Sequence, residues 1–280
     1  MHALYRFLLP SCFLILLGSC TVQDHLNPEE SNPCRVSYML NQLDTYLIPP
    51  GETVTLGQQV TGISGSYFIV ADILELNGQL YAVSGKSEVA RTGGEESNAA
   101  FEYDSQGRLS KAVIRYRRPT ATITTVYEYL SPTELQITQT DDYGTYPVPP
   151  SSTKIVPLNS LGLVIDPNVT YDAEGYVTRR GSTNYNIVNG NDIGTDAERY
   201  EYDLTKPNPI PNPFFFNGKK DKNLRTDIIS LDTSTKTEFD LKYIYDDQGN
   251  LKYDILMFNY PDTDPRMRVH INKYEWSCPQ

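Results

Sequence analysis

Histidine occurs three times and tryptophan once in 280 residues, and Lys and Arg number 24 against 35 Asp and Glu. A formal charge of −11 leaves little with which to hold a phosphate backbone, so nucleic acid is excluded as a partner. So few histidines leave few candidates for a general base or a metal ligand. The hydrophobic run Phe7–Leu17 falls short of the about 20 apolar residues that a membrane-spanning helix needs. Gly and Pro, at 18 and 19, are near average usage, which excludes collagen-like and low-complexity chains. No long segment repeats its apolar residues with a helical period; Val36–Leu43 is the best place for a short helix.

The N-terminus carries an address. Met1–Arg6 supplies a positive charge, Phe7–Leu17 an apolar run, and Leu17-Gly18-Ser19 the small residues of a cleavage point. Leu17-Gly18-Ser19-Cys20 resembles the lipobox of bacterial lipoproteins, which implies that Cys20 is acylated and becomes the first mature residue. Residues 1–19 are then a signal peptide and 20–33 a polar tether, too poor in apolar residues to order itself. Thr21 in place of an aspartate favours the outer membrane, facing either the periplasm or the surface. With Cys12 removed and Cys20 acylated, Cys34 and Cys278 remain, 244 positions apart. In an oxidising envelope they are expected to form a disulfide, two free thiols being the alternative, and closing that loop would stabilise the fold by roughly 3–5 kcal/mol.

The rest of the chain reads as strands. Phe239, Leu241, Tyr243 and Tyr245 alternate with Lys236, Glu238, Asp240 and Lys242; Leu251, Tyr253, Ile255 and Met257 repeat the pattern, as do Met267, Val269 and Ile271. Period two places one face of each strand in a core. Asn77-Gly78 between two apolar runs predicts a tight hairpin. Tyr-Asp-x-x-Gly-x-Leu/Val recurs at Tyr103–Leu109, Tyr171–Val177 and Tyr245–Leu251, where the aspartate can cap the turn and the glycine can take positive φ. Proline clusters at Pro49-Pro50, Pro147–Pro150 and Pro207–Pro213 mark long connections. The expected architecture is all-β: one domain over 34–280, a curled antiparallel meander of roughly 10–14 strands, barrel-like and water-soluble. A transmembrane barrel is excluded by the charges that interrupt the outer faces of these strands.

The Tyr-Asp-x-x-Gly turns are similar to the YD-type repeats of bacterial envelope proteins. Tyr200-Glu201-Tyr202-Asp203, Lys206-Pro207-Asn208-Pro209, Phe214-Phe215-Phe216-Asn217-Gly218-Lys219-Lys220-Asp221-Lys222-Asn223-Leu224 and the final Tyr274…Cys278 together resemble a Bacteroidota-type lipoprotein family of unknown function with a porin-like fold. The resemblance covers about Phe101–Gln280 and is weaker over Cys34–Ala100. It implies a curled, barrel-like sheet and no activity.

No constellation in the sequence carries chemistry on its own. His25 falls in the tether and His270 on the polar side of a strand; no phosphate loop, metal motif or cofactor fingerprint is present. Asn189–Asp196 loosely resembles a calcium loop but reads better as a polar hairpin. Asp141-Asp142 and Asp246-Asp247 read as turn residues. Phe214, Phe215 and Phe216, read as a strand, point to alternate faces, one in the core and one free to dock a ligand; Lys219, Lys220 and Lys222 add a basic spot beside them. The leading expectation is a non-enzymatic binding or assembly module at the outer membrane, with a glycan or an envelope protein as partner. The alternative is a carbohydrate-active hydrolase using paired Asp and Glu in the barrel mouth.

Overall fold

The computed structural model describes residues 34–62, 65, 67–85, 97–117, 120–144, 150–195, 197–231, 237–259 and 268–278. The leader, Cys20, the tether, Pro147–Pro149, Asp196, Lys236 and Met267 lie outside the described residues. Along the chain come β1 (Arg35–Leu40), then β2 (Thr45–Ile48), β3 (Gln59–Thr61), β4 (Tyr67–Leu76) and β5 (Gln79–Ser84). A first meander follows in β6 (Ser97–Tyr103), β7 (Leu109–Arg117), β8 (Thr120–Ser131), β9 (Glu134–Asp142) and β10 (Ser152–Pro157). Five short strands come next: β11 (Val169–Tyr171), β12 (Val177–Arg180), β13 (Thr183–Asn184), β14 (Ile187–Val188) and β15 (Asn191–Asp192). A second meander closes the chain: β16 (Glu198–Pro207), β17 (Asn223–Ser230), β18 (Thr237–Tyr245), β19 (Leu251–Asn259) and β20 (Arg268–Ser277).

The architecture is all-β and antiparallel. Its main sheet has 11 strands in the order β10-β9-β8-β7-β6-β1-β20-β19-β18-β17-β16. Strand β1 stitches the two meanders together, pairing with β6 on one side and β20 on the other. The edge strands β10 and β16 are not paired to each other, so the sheet curls without closing into a barrel. Among the described residues nine further strands form sheets of three, two and four, so the expected range of strands describes the main sheet alone. Cys34 and Cys278 flank β1 and β20 and are joined as a disulfide, as expected from their isolation in the sequence.

The helix expected at Val36–Leu43 is instead β1. The i, i+4, i+7 spacing of Val36, Leu40 and Leu43 looks helical, but a strand with both faces covered has no polar side to display. A bulge between Val36 and Tyr38 also switches the sides. Val36 and Met39 join the core on one face of the sheet, whereas Tyr38 and Leu40 join the core on the other.

The turns follow the sequence closely. In each Tyr-Asp-x-x-Gly hairpin the aspartate Oδ1 accepts the amides two and four residues on, at 2.9 Å from Gln106 and Arg108, 2.9 Å from Glu174 and Tyr176, and 2.9 and 2.8 Å from Gln248 and Asn250. Gly107, Gly175 and Gly249 have φ of 75°, 95° and 82°. A fourth copy, unannounced by a Tyr-Asp pair, runs from Leu158 to Val164. There Asn159 Oδ1 accepts the Leu161 and Leu163 amides at 2.9 and 3.0 Å, and Gly162 has φ 72°. Asn77-Gly78 makes the predicted hairpin with both φ positive, and Asn189-Gly190 makes a second one.

The two faces of the main sheet are covered differently. On one, the β2-β5-β4-β3 sheet lays Leu74, Leu76, Tyr81 and Val83 onto Tyr253, Ile255, Met257, Val269 and Ile271. Ile255, Met257 and Ile271 are fully buried, each worth about 1.5–3 kcal/mol by area removed from water. Asp72 of β4 fixes the alignment, pairing with Lys252 Nζ at 2.6 Å and accepting the Tyr253 hydroxyl at 3.0 Å. On the other face, β1, β6, β7, β9, β19 and β20 gather around Phe216, with Tyr127 and Tyr243 from further strands packed alongside. Within this core the Phe216 ring packs against Tyr127 of β8 at 5.1 Å and against Phe214 and Phe215.

Candidate functional site

The chain that covers this second face is irregular, and prolines make it so. From the last residue of β16, Pro207, Pro209, Pro211 and Pro213 occupy every second position. Each lacks an amide donor and fixes φ, so the segment cannot continue a hydrogen-bonded ladder and crosses the sheet as a strap. Its polar groups are tied to the limb that follows: Asn208 Nδ2 donates to Asp221 O at 2.9 Å, Asn212 Nδ2 to Gly218 O at 3.0 Å, and Lys220 Nζ to Pro211 O at 2.7 Å.

At the end of the strap, Phe215–Asn217 form a 3₁₀ turn. This corrects the reading of Phe214–Phe216 as a strand with alternate faces, because three residues per turn gather the rings. Phe215 and Phe214 lie 5.7 and 6.2 Å from Phe216, and Phe214 also meets Phe101 at 5.7 Å. Phe216 is buried, and Phe214 and Phe215 pack half-buried against the same core. The chain leaves through Gly218 at φ 112°, where an added Cβ would stand 2.6 Å from Val177 Cγ2.

Between the strap and the turn end of the sheet lies a cleft of about 720 Å³. The sheet side supplies the disulfide, Arg35, Tyr103, Tyr245 and Trp276; the strap supplies Lys206–Pro213; the turn at Glu174–Tyr176 and the limb Lys219–Lys222 supply the far wall. A second cavity of about 360 Å³ lies beyond that wall, lined by Arg180, Asp192, Arg225 and Tyr243. Lys219, Lys220, Asp221 and Tyr176 line both. Trp276 is held by its indole N–H, which donates to Leu251 O at 2.7 Å, and Lys219 Nζ lies 5.5 Å from the Tyr176 ring centroid. The larger cleft has the size of a small-molecule site, with rings and a few polar groups on a fixed frame.

The charges in this region are unlike those of the chain as a whole. Arg35, Lys206, Lys219, Lys220 and Lys222 line the cleft against two carboxylates, Glu174 and Asp221. Asp221 is engaged by Arg225 at 2.6 Å, and Lys206 by Asp203 at 3.0 Å. Burial pushes the Lys220 ammonium down to about 8, with Asp254 and Asp221 opposing the shift. Lys220 keeps an exposed surface along the two cavities, so water reaches its side chain even though protein surrounds it. Burial likewise raises Asp254 above the usual carboxylate range, against hydrogen bonds from Asn272 and Tyr274 and the charge of Lys220. Its Oδ1 has no hydrogen-bond partner among the described residues.

Of the residues singled out in the sequence, Phe215, Lys219, Lys220 and Lys222 come together on the cleft, whereas Phe214 and Phe216 go into the core. Cys34 lines the cleft as part of the disulfide. His270 packs against the Phe258 ring at 4.6 Å, outside the lining of either cavity. Asp246 caps its turn, and no group of metal-ligating side chains occurs among the described residues. Arg35, Tyr176 and Trp276 were not anticipated, since each reaches the cleft from a distant part of the chain. A local signal did exist in the alternate prolines and the lysines around them.

No known protein family matches the chain, and no curated protein matches it. Among solved structures, a porin-like protein from Bacteroides uniformis aligns over 86% of this chain and 98% of its own, at 10% identity and a TM-score of 0.23. A score that low carries no argument, and the fold and the cleft rest on their own geometry.

Proposed function

We propose that the protein is a binding module of the bacterial envelope and not an enzyme: acylated Cys20 holds it at the outer membrane, and the cleft beneath the proline strap takes up a glycan. The observation that carries this reading is the cleft itself, a preformed volume of about 720 Å³ whose strap, Lys220 and Trp276 are held by hydrogen bonds before any ligand arrives. Preorganisation of this kind lowers the entropy cost of binding. Aromatic walls suit the apolar faces of sugar rings, and lysines suit the polar groups around them. Cys34 lines the cleft, so the tether joins the domain beside the site.

Two substitutions test the two halves. Cys20→Ala is expected to move the protein from the membrane fraction to the soluble fraction with its circular-dichroism spectrum unchanged; unchanged membrane retention would remove the anchor. Leu161→Trp, which fills the cleft from its edge, is expected to lower retention on immobilised envelope polysaccharide at least tenfold. Cleavage of a retained glycan that disappears with Glu174→Gln or Asp221→Asn would replace the binding module with the hydrolase.

A further inference from the structure

We propose that the ligand of the cleft is an acidic saccharide, its anionic group seated among Lys219, Lys220, Lys222 and Arg35 and its ring against Tyr176 or Trp276. This rests on the cleft being the ligand site and goes further in naming the chemistry of the occupant.

The first ground is a reversal of charge. Acidic residues outnumber basic ones by 35 to 24 over the chain, yet the cleft is lined by five basic residues and two acidic ones. Lys206 is engaged by Asp203, and Asp221 is drawn to Arg225 on the side of the second cavity, so Lys219, Lys220 and Lys222 face the cleft against Glu174. Walls of low dielectric concentrate the field of such a group, and an anion entering the cleft meets more than the attraction of one surface lysine.

The second ground is the state of Lys220. Its ammonium donates to a neutral acceptor, Pro211 O, and an ammonium carries three donors, so part of its capacity faces the cavities. The charged groups that share its two cavities or act on it are Lys219, Asp221 and Lys222 on its own limb, Glu174 on the turn opposite, Arg35 on β1, Arg180 on β12, Asp192 on β15, Lys206 on β16, Arg225 on β17 and Asp254 on β19. Burial lowers the pKa of the ammonium, and the charges of Asp254 and Asp221 only partly offset it, so it is easier to deprotonate than a free lysine. An anion in the cleft would add to the charge that keeps it protonated.

The third ground separates a sugar from a simple ion. Phosphate would leave most of about 720 Å³ unfilled, whereas one or two pyranose rings with a carboxylate or sulfate use both the cations and the rings of Phe215, Tyr176 and Trp276. The alternate prolines of the strap add flat, rigid apolar surface along the same wall.

Titration calorimetry of the mature protein with trigalacturonate, maltotriose and inorganic phosphate tests the proposal. Trigalacturonate is expected to bind, with an affinity that falls as salt is added and falls again as the pH is raised from 7 to 9. Lys220→Met is expected to weaken it at least tenfold and to remove the step near pH 8, while Lys220→Arg keeps the affinity and loses only the pH step. Circular dichroism confirms that each variant is folded. Maltotriose binding as well as trigalacturonate, with Lys220→Met without effect, overturns the acidic ligand and leaves the cleft as a glycan site. Phosphate binding as tightly as trigalacturonate overturns the saccharide. Absence of binding by all three to the folded protein overturns this proposal and the glycan reading beneath it.

Discussion

The two faces of the main sheet are covered by chain of opposite character. One carries a regular four-stranded sheet whose apolar residues meet those of β18, β19 and β20 in a dry layer, with Ile255, Met257, Tyr81 and Val83 inaccessible to water. The other carries a proline strap, a 3₁₀ turn and three short hairpins, which reach the sheet through a few large rings and leave two cavities. Regular strands stack closely because their side chains share one spacing. Irregular chain cannot match that spacing, and the mismatch is space that a ligand can use. The sealed face provides stability and the loosely covered face holds the cleft.

Three substitutions should separate these roles, and the largest effect is expected at the disulfide. Replacing Cys34 and Cys278 together with Ser removes a link across 244 residues and should lower the unfolding free energy by about 3–5 kcal/mol, read from urea denaturation. Because the disulfide lines the cleft and also joins the ends of β1 and β20, it belongs to both faces, and ligand affinity should fall with stability. Phe216→Ala and Ile255→Ala then form a pair, one from each face. Each should cost several kcal/mol, about 3–5 for the phenylalanine and about 2–5 for the isoleucine. Their difference should appear in binding. Phe216 supports the strap, so its loss should weaken glycan retention, whereas Ile255→Ala at a temperature where it remains folded should retain glycan normally. Equal loss of binding in both would mean that the faces are not independent.

The contrast also explains what could be read from the sequence. Period two in β19 and β20 survives translation into structure because the residue spacing and the sheet face obey the same rule, whereas in β18 Tyr243 joins one core, Ile244 the other, and Tyr245 is exposed. The Tyr-Asp-x-x-Gly hairpins survive because Asp104, Asp172 and Asp246 build their turns from groups within four residues. Where a second surface decides the outcome, local pattern fails. Val36–Leu43 looks helical because both faces of β1 are covered and a bulge at Ser37 exchanges them. Phe214–Phe216 reads as a strand until Gly218 and the preceding prolines wind it into a 3₁₀ turn. The Asn159 turn escaped because Leu-Asn stands where Tyr-Asp stands elsewhere, although the amide oxygen caps the loop in the same way. The cleft is the extreme case: Arg35, Tyr176, Lys220 and Trp276 come together only after β1 has paired with β20 and the strap has crossed over them.

The smallest expected effect concerns an ionic contact at the sealed face. Lys252 and Asp72 join the four-stranded sheet to β19 at 2.6 Å, but both side chains keep some access to water, which screens the pair and limits its worth to about 1 kcal/mol. Burial opposes ionisation of Asp72, yet the hydrogen bonds from Lys252 and Tyr253 outweigh it, and the carboxyl sits below its ordinary value of 3.8. The native state therefore binds the Asp72 proton less readily than the unfolded chain does. Its contribution is complete above pH 3.8 and disappears as the pH falls through and below that value. In Asp72→Asn the amide keeps the shape and an acceptor but loses the charge, so stability near pH 7 should drop by no more than about 1 kcal/mol. As the pH falls below 3.8 the two proteins should converge in stability. Glycan retention should be unchanged, because the apolar layer holds the four-stranded sheet in register and the cleft lies on the opposite face. A stability difference that persists undiminished at pH 2.5 would assign the contact to packing and not to charge.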